Sequence, residues 1–226
     1  MMNTRLIQYL SGFLTPERFA LFGQVLALRT NYLTVVLEDI FQTQNASAVI
    51  RSADCFGIQT VHVIENTHVF RLHPDVVRGA SKWVTVKRHN QNDFNTVSAL
   101  QSLKKEGYRI IAANPHEHDV DLGNFDLSRG KAAFIFGTER PGLSEAAKQH
   151  ADEFMKIPMV GFTDSLNVSV SVAITLHHLT RRLRDDASIN WQLTDQEKDE
   201  IMLGWLRMSL KRVDLLEKNF YGLRKD

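Results

Sequence analysis

Three short stretches of this chain gather the side chains that chemistry needs. "GTERPGLS" (Gly137–Ser144) sets Glu139 on a turn bounded by glycines, "TDSLNVSV" (Thr163–Val170) brings Ser165 and Asn167 beside Asp164, and "NASAVIRSADCFG" (Asn45–Gly57) places Asn45 six residues before Arg51. The first is close to a phosphate loop, G-x-x-x-x-G-K-[ST], but Leu143 stands where the phosphate-binding lysine belongs, and this argues against an NTPase. Gly137 and Pro141-Gly142 would otherwise simply shape a tight turn. A dinucleotide fold needs G-x-G-x-x-G after its first strand, and a serine hydrolase of the α/β type needs G-x-S-x-G; the chain has neither.

Metal chemistry has less support. "HEHD" (His116–Asp119) holds two histidines and two acids, yet residues so close in sequence seldom converge on one ion, and the H-E-x-x-H spacing is missing. His177 and His178 would point about 100° apart on a helix and so cannot bind from one face. No metal site is expected. Cys55, the single cysteine, excludes an intramolecular disulfide and fits a reducing compartment; its place late in an apolar helix predicts a buried structural thiol.

The elements that must hold these residues alternate in type. Residues 4–29 read as one or two short helices, with Thr15-Pro16-Glu17 as a start signal. "YLTVVLEDI", "TVHVIE", "KWVTVKRH", "YRIIAAN", "KAAFIFGTE" and "EFMKIPM" read as strands. Between them "NASAVIRSADCFG", with Asn45 as N-cap and Gly57 as stop, "DFNTVSALQSLKKEG", and "LSEAAKQHA" read as helices. That order predicts an α/β fold, a mostly parallel sheet flanked by helices on both faces. Beyond Leu193 the pattern is helical throughout, opening on Thr194 with a glutamate three residues on. One stretch is ambiguous: serine and valine alternate over Asn167–Val172 as in a half-buried strand, while "TLHHLTRRLRDD" after it looks like the basic end of a helix.

Composition adds limits. The chain has 226 residues, 43% apolar and 23% charged, with a net charge of +1, so its overall charge does not announce a nucleic-acid partner. The distribution says more. Arg71, Arg78, Lys82, Lys87 and Arg88 face one acid, Asp75, between residues 71 and 89, and Arg181, Arg182 and Arg184 form a second cluster; either alone marks a solvated face more often than a binding site. No apolar run is long enough to cross a bilayer, no secretory signal is visible, and the expected location is the cytoplasm.

The three motifs, in this order and spacing, resemble those of the SPOUT superfamily, most closely the TrmH branch of tRNA and rRNA ribose 2′-O-methyltransferases. "GASKWV" (Gly79–Val84) also resembles a TrmH segment, and the match runs from roughly Leu33 to Arg184. The resemblance implies a deep trefoil knot in the C-terminal part of a core at residues 31–186, with helical extensions at 1–30 and 187–226. It implies that Asn167-Val168-Ser169 is the first turn of a helix and not a strand, since tertiary packing can overrule the modest helix penalty of valine. Ser165 and Asn167 would then lie at a helix N-terminus, whose N–H groups suit a phosphate or carboxylate.

The resemblance further implies S-adenosyl-L-methionine as methyl donor, held at Asn114, Gly137, Ile157, Met159 and Leu166. Catalytic roles would fall to Arg51, Asn45, Glu139, Ser165 and Asn167. Arginine is proposed in this family as the general base; a guanidinium is ordinarily protonated, so binding a phosphate beside the ribose is the alternative role. Asn45 would orient Arg51 or cap its helix. Arg181 matches a TrmH arginine implicated in tRNA binding, with Leu183 where the family has a further arginine and Arg182 or Arg184 to compensate; Arg78 and Lys82 complete the expected RNA contacts. The first helix, "RFALFGQVLALR", and "FQTQ" before Asn45 both depart from the basic segments usual in the family. The expected protein is a homodimer joined through the knot region that methylates the D-loop guanosine of tRNA. The alternatives are an rRNA 2′-O-methyltransferase and a non-catalytic RNA-binding module.

Overall fold

A computed structural model describes residues 2–113, 120–138 and 140–222. The chain divides into two compact units, Thr30–Trp191 and the pair of segments Met1–Arg29 and Gln192–Asp226.

The larger unit is built on a seven-stranded sheet in the order β3-β2-β1-β6-β4-β7-β5. Its strands are β1 (Leu33–Glu38), β2 (Thr60–Ile64), β3 (Thr85–His89), β4 (Arg109–Ala113), β5 (Val120–Asp121), β6 (Ala132–Phe136) and β7 (Glu153–Lys156). Neighbouring strands in that order run parallel to one another. The six strands expected from the sequence are all present; two-residue β5 is too short to leave a pattern. Parallel strands need helical crossovers, and the helices are α3 (Thr43–Cys55), a single turn α4 (Pro74–Val77), α5 (Thr96–Lys105), α6 (Glu145–His150) and α7 (Val168–Asp185).

Both faces of the sheet are covered, which is why β1 reads as an unbroken apolar run and not as an alternation. Leu33, Val35 and Leu37 face a core shared with Val49 and Ile50 of α3 and with Val172 and Leu176 of α7. Val36, between them, faces the opposite core, with Ile110, Ile135, Leu100 and Leu103. Each such buried aliphatic side chain contributes roughly 1.5–3 kcal/mol.

The ambiguous serine–valine stretch is helical from Val168. Val168 and Val172 are buried, four residues apart on one face, while Val170 between them is 43% exposed. A strand would put all three valines on one side; the helix buries two of them and continues the stripe through Leu176, Leu179 and Leu183.

Two local expectations are corrected. Asn45 is not the N-cap of α3: the helix starts at Thr43 with Gln42 as the flanking residue, so Asn45 sits in the first turn. Cys55 is exposed. The buried face of α3 is Ala46, Val49, Ile50 and Ala53, and that spacing turns Arg51 and Cys55 outward together.

The smaller unit consists of α1 (Met2–Ser11), α2 (Pro16–Leu26), α8 (Asp195–Ser209) and α9 (Val213–Gly222). Thr15 caps α2 through its hydroxyl, and Thr194 with Glu197 forms a capping box at α8. Leu6, Leu10, Phe22, Leu26, Trp205 and Leu206 are among its buried residues, with Phe22 edge-on to Trp205 at 5.7 Å. The helical pattern beyond Leu193 is interrupted: α8 ends at Ser209, and Arg212 takes a left-handed φ of 54° before α9.

One buried pair carries a pH signature. His62 on β2 and His89 on β3 stack with ring centroids 5.3 Å apart and ring nitrogens 3.0 Å apart. Burial, then the charges of Lys87 and His89, push the His62 pKa down to about 3. An unfolded histidine binds a proton near pH 6.5, so between that value and about 3 the unfolded chain takes up more protons than the folded one. Stability contributed by neutral His62 is therefore complete above pH 6.5 and is lost as pH falls below it, by up to about 1.4 kcal/mol per pH unit. Urea midpoints measured at about pH 7.5 and about pH 5 should differ in that direction, and His62→Gln should flatten the dependence.

Candidate active site

The carboxyl ends of β4, β6 and β7 open into a cavity of about 430 Å³, the place where parallel sheets receive ligands. Phe136, Met155, Ile157, Met159 and Leu166 give it apolar walls, while Arg140, Lys148, Lys156 and Asp164 bring charge to its lining. Lys148 pairs with Glu145 at 3.0 Å, and Lys156 lies 3.7 Å from Asp121. The Thr138 hydroxyl oxygen, in the lining, is buried and has no hydrogen-bond partner among the described residues.

Backbone packing shapes one wall. A Cβ on Gly137 would lie 2.2 Å from the Gly142 carbonyl oxygen and 2.6 Å from the Leu143 nitrogen, so the backbone of Gly142 and Leu143 packs against Gly137 where no side chain would fit. Gly142 adopts φ 88° as the chain turns, and Ser144 then caps α6 by accepting from the Ala147 N–H. Glu38, 3% exposed at the end of β1, fastens this loop: its carboxylate accepts from the Ser144 N–H at 2.9 Å, the Ser144 hydroxyl at 2.7 Å and the Thr96 hydroxyl at 2.7 Å.

The third motif enters from α7. Asn167 is the N-cap, its oxygen accepting from the Ser169 N–H at 2.9 Å and the Ser169 hydroxyl at 2.6 Å. Its amide donates to the Asn45 side-chain oxygen at 3.0 Å, and Asn45 donates in turn to Gln42 at 2.6 Å. This bond joins the start of α3 to the start of α7 across 122 residues of sequence. Arg51, two turns further along α3, is exposed and has no carboxylate partner among the described residues.

Of the residues singled out from sequence, Gly137, Ile157, Met159, Ser165 and Leu166 line the cavity. Asn45 and Asn167 meet each other, the latter lying in sequence between Leu166 and Val168 of the lining, and Arg51 is not one of the cavity walls. Asn114 and Glu139, like His116–Asp119, lie outside the described residues. Sequence reasoning missed Thr138, whose orphaned hydroxyl is visible only once the loop is folded, and Glu38, hidden inside an apolar run.

The two basic clusters separate into tied and open cations. Arg182 donates to the carbonyl of Phe125 at 2.8 Å and lies 3.5 Å from that of Leu122; Arg184 donates to that of Phe56 at 2.8 Å and stacks over Trp191. These guanidinium groups close the ends of internal segments. Arg181 is exposed. Lys87 and Arg88 pair with Glu106 and Glu65, whereas Arg71, Arg78 and Lys82 are unpaired with any acid among the described residues.

Residues 32–177 match the SpoU rRNA Methylase family profile. The tRNA (guanosine(18)-2′-O)-methyltransferase of Borreliella burgdorferi is 43% identical over 93% of this chain and 94% of its own length. The chain belongs to the SpoU rRNA Methylase family. The SpoU match agrees with the resemblance carried by the three motifs and spans nearly the same stretch. Among solved structures, an A. aeolicus TrmH/SpoU tRNA modifying enzyme superposes with a TM-score of 0.76 at 24% identity, covering 87% of this chain and 98% of that one. The SpoU methyltransferase AviRb from Streptomyces viridochromogenes, solved with AdoMet, gives 0.58 at 23% identity over 70% of this chain and 60% of its own. The sheet and its flanking helices are thus those of SPOUT proteins.

Proposed function

We propose that this chain transfers a methyl group from S-adenosyl-L-methionine to the ribose 2′-OH of guanosine 18 in tRNA. The observation that carries this reading is the likeness, over 93% of this chain, to a relative named for that reaction, 43% identical.

The cavity suits such a donor. It combines apolar walls for an adenine ring with a backbone turn at Gly137 that only glycine permits, and the buried Thr138 hydroxyl in its lining has no partner among the described residues. When bound there, the donor supplies a methyl group on a positively charged sulfur, open to direct displacement. The residues of this chain must then place the ribose and assist loss of its proton. Arg51 binds the phosphate beside the reacting ribose and stabilises the charge that develops on its oxygen. Asn167, Asn45 and Ser165 hold the helix start and the substrate phosphate, and Glu139 contacts the RNA or the donor. Arg181, Arg78 and Lys82 take more distant phosphates.

Two copies acting together complete the reading. The outer face of α7 carries Val170 and Ile174 at 43% and 37% exposure, an apolar stripe suited to a second copy of this chain. The core at residues 31–186 includes the trefoil knot, residues 1–30 and 187–226 are extensions to it, and the enzyme works in the cytoplasm. Among the described residues no helix is long and apolar enough to cross a membrane.

The test is incubation of the purified protein with isotopically labelled donor and total RNA lacking ribose methylation, followed by mapping of the modified nucleotide. Label at guanosine 18 of tRNA is expected. Label confined to rRNA, or none at all, would overturn the proposal.

A further inference from the structure

We infer that Phe41 and His68 form a stacking site for an unpaired nucleobase flanking the methylated guanosine; this rests on the reading of the chain as a tRNA methyltransferase. Phe41 follows Ile40, which is buried, yet its own ring is 50% exposed. It faces the His68 ring at a centroid distance of 5.3 Å with the planes tilted by 40°, and Val69 beside them is 60% exposed.

The pair is held rigid from beneath. Asp39, with a left-handed φ of 55°, accepts from three consecutive backbone N–H groups, those of Asn66 at 2.9 Å, Thr67 at 2.9 Å and His68 at 3.0 Å. The far end of the same loop is tied to α3, where the Ser47 hydroxyl accepts from the His73 N–H at 2.6 Å. A loop fastened at both ends presents its aromatic ring already ordered, so little entropy is lost when a flat ligand lands on it.

Placement and charge both favour a nucleic acid. Phe41 stands between the carboxyl end of β1 and the start of α3, the helix that carries Arg51. α4 and the turn at Ala80–Lys82 also pack on α3, and these segments carry the open cations Arg78 and Lys82. Aromatic faces interleaved with unpaired cations are how proteins hold single-stranded nucleic acid, the rings taking bases and the cations taking phosphates. The "FQTQ" stretch has no basic residue of its own, so the aromatic ring supplies the interaction there.

The experiment measures equilibrium binding of unmodified tRNA transcript to the full-length protein, with methyl transfer read in parallel. Phe41→Ala should weaken binding by about 5- to 100-fold. Phe41→Trp should restore it, and Phe41→Leu, which keeps the bulk without the aromatic face, should not. A transcript with abasic residues on either side of the guanosine should bind the wild type as weakly as intact transcript binds Phe41→Ala, and the two defects should not add. Wild-type affinity in Phe41→Leu, or no discrimination against the abasic transcript, would overturn the stacking site, as would loss of a dimer in sedimentation of Phe41→Ala. Phe41-dependent binding without any methyl transfer by the wild type would instead sink the functional reading and leave the stacking site standing.

Discussion

Arg51→Ala should abolish methyl transfer to tRNA while leaving S-adenosylmethionine affinity within about twofold of the wild type. Removing one preorganised charge from a transition state typically costs about 10²- to 10³-fold in rate, and weaker attraction for the neighbouring phosphate adds to that deficit. Folding should barely respond, because Arg51 is exposed and lies on the outward face of α3, opposite Val49, Ile50 and Ala53. Arg51→Lys keeps the charge but not the planar fork, and an intermediate rate would indicate that bidentate geometry contributes. Single-turnover assays with separately measured donor binding check the prediction. Unchanged turnover in the alanine variant would remove Arg51 from the reaction.

Gly137→Val should act on the other partner, the donor. Its Cβ would meet the carbonyl oxygen and carbon of Gly142 at 2.2 and 2.3 Å, which are backbone atoms and cannot swing aside as a flexible side chain would. Overpacking of this kind costs about 1–3 kcal/mol or more, and the strain falls on the loop that walls the cavity. Donor affinity by calorimetry should drop by about 10- to 100-fold. Gly123→Ala serves as control, since a Cβ there meets nothing within 4 Å and no unusual backbone angle is involved. Equal donor binding by the wild type and the valine variant would show that the turn does not shape the site.

Much of the frame was legible because it is written locally. The threonine caps at Thr15 and Thr194, the glycine stops at Gly57 and Gly107, and the six apolar runs each declare an element through its own few residues. The site was legible differently, through motif order, and Gly137, Ile157, Met159, Ser165 and Leu166 do converge on one cavity. What escaped depends on distant partners. Asn45 reads as a cap because asparagine favours that role, but its amide is engaged by Gln42 and its oxygen by Asn167. Cys55 reads as buried from the apolar residues near it, and its exposure follows from which face of α3 meets the sheet. Arg182 and Arg184 look like open cations until Phe125 and Phe56 bring carbonyls to them. Alternating valines at 168, 170 and 172 read as a strand until helical packing buries the outer two.

The position of β1 inside the sheet, with a neighbour on each side, has a consequence for biosynthesis. One of its edges is matched by Val61–Ile64 soon after it emerges, but the other waits for Ala132–Phe136, roughly a hundred residues later in the chain. During that interval a largely apolar ribbon has an open flank as the ribosome works onward. The nascent protein is then at its most prone to clumping, and it is then that a chaperone has most to protect.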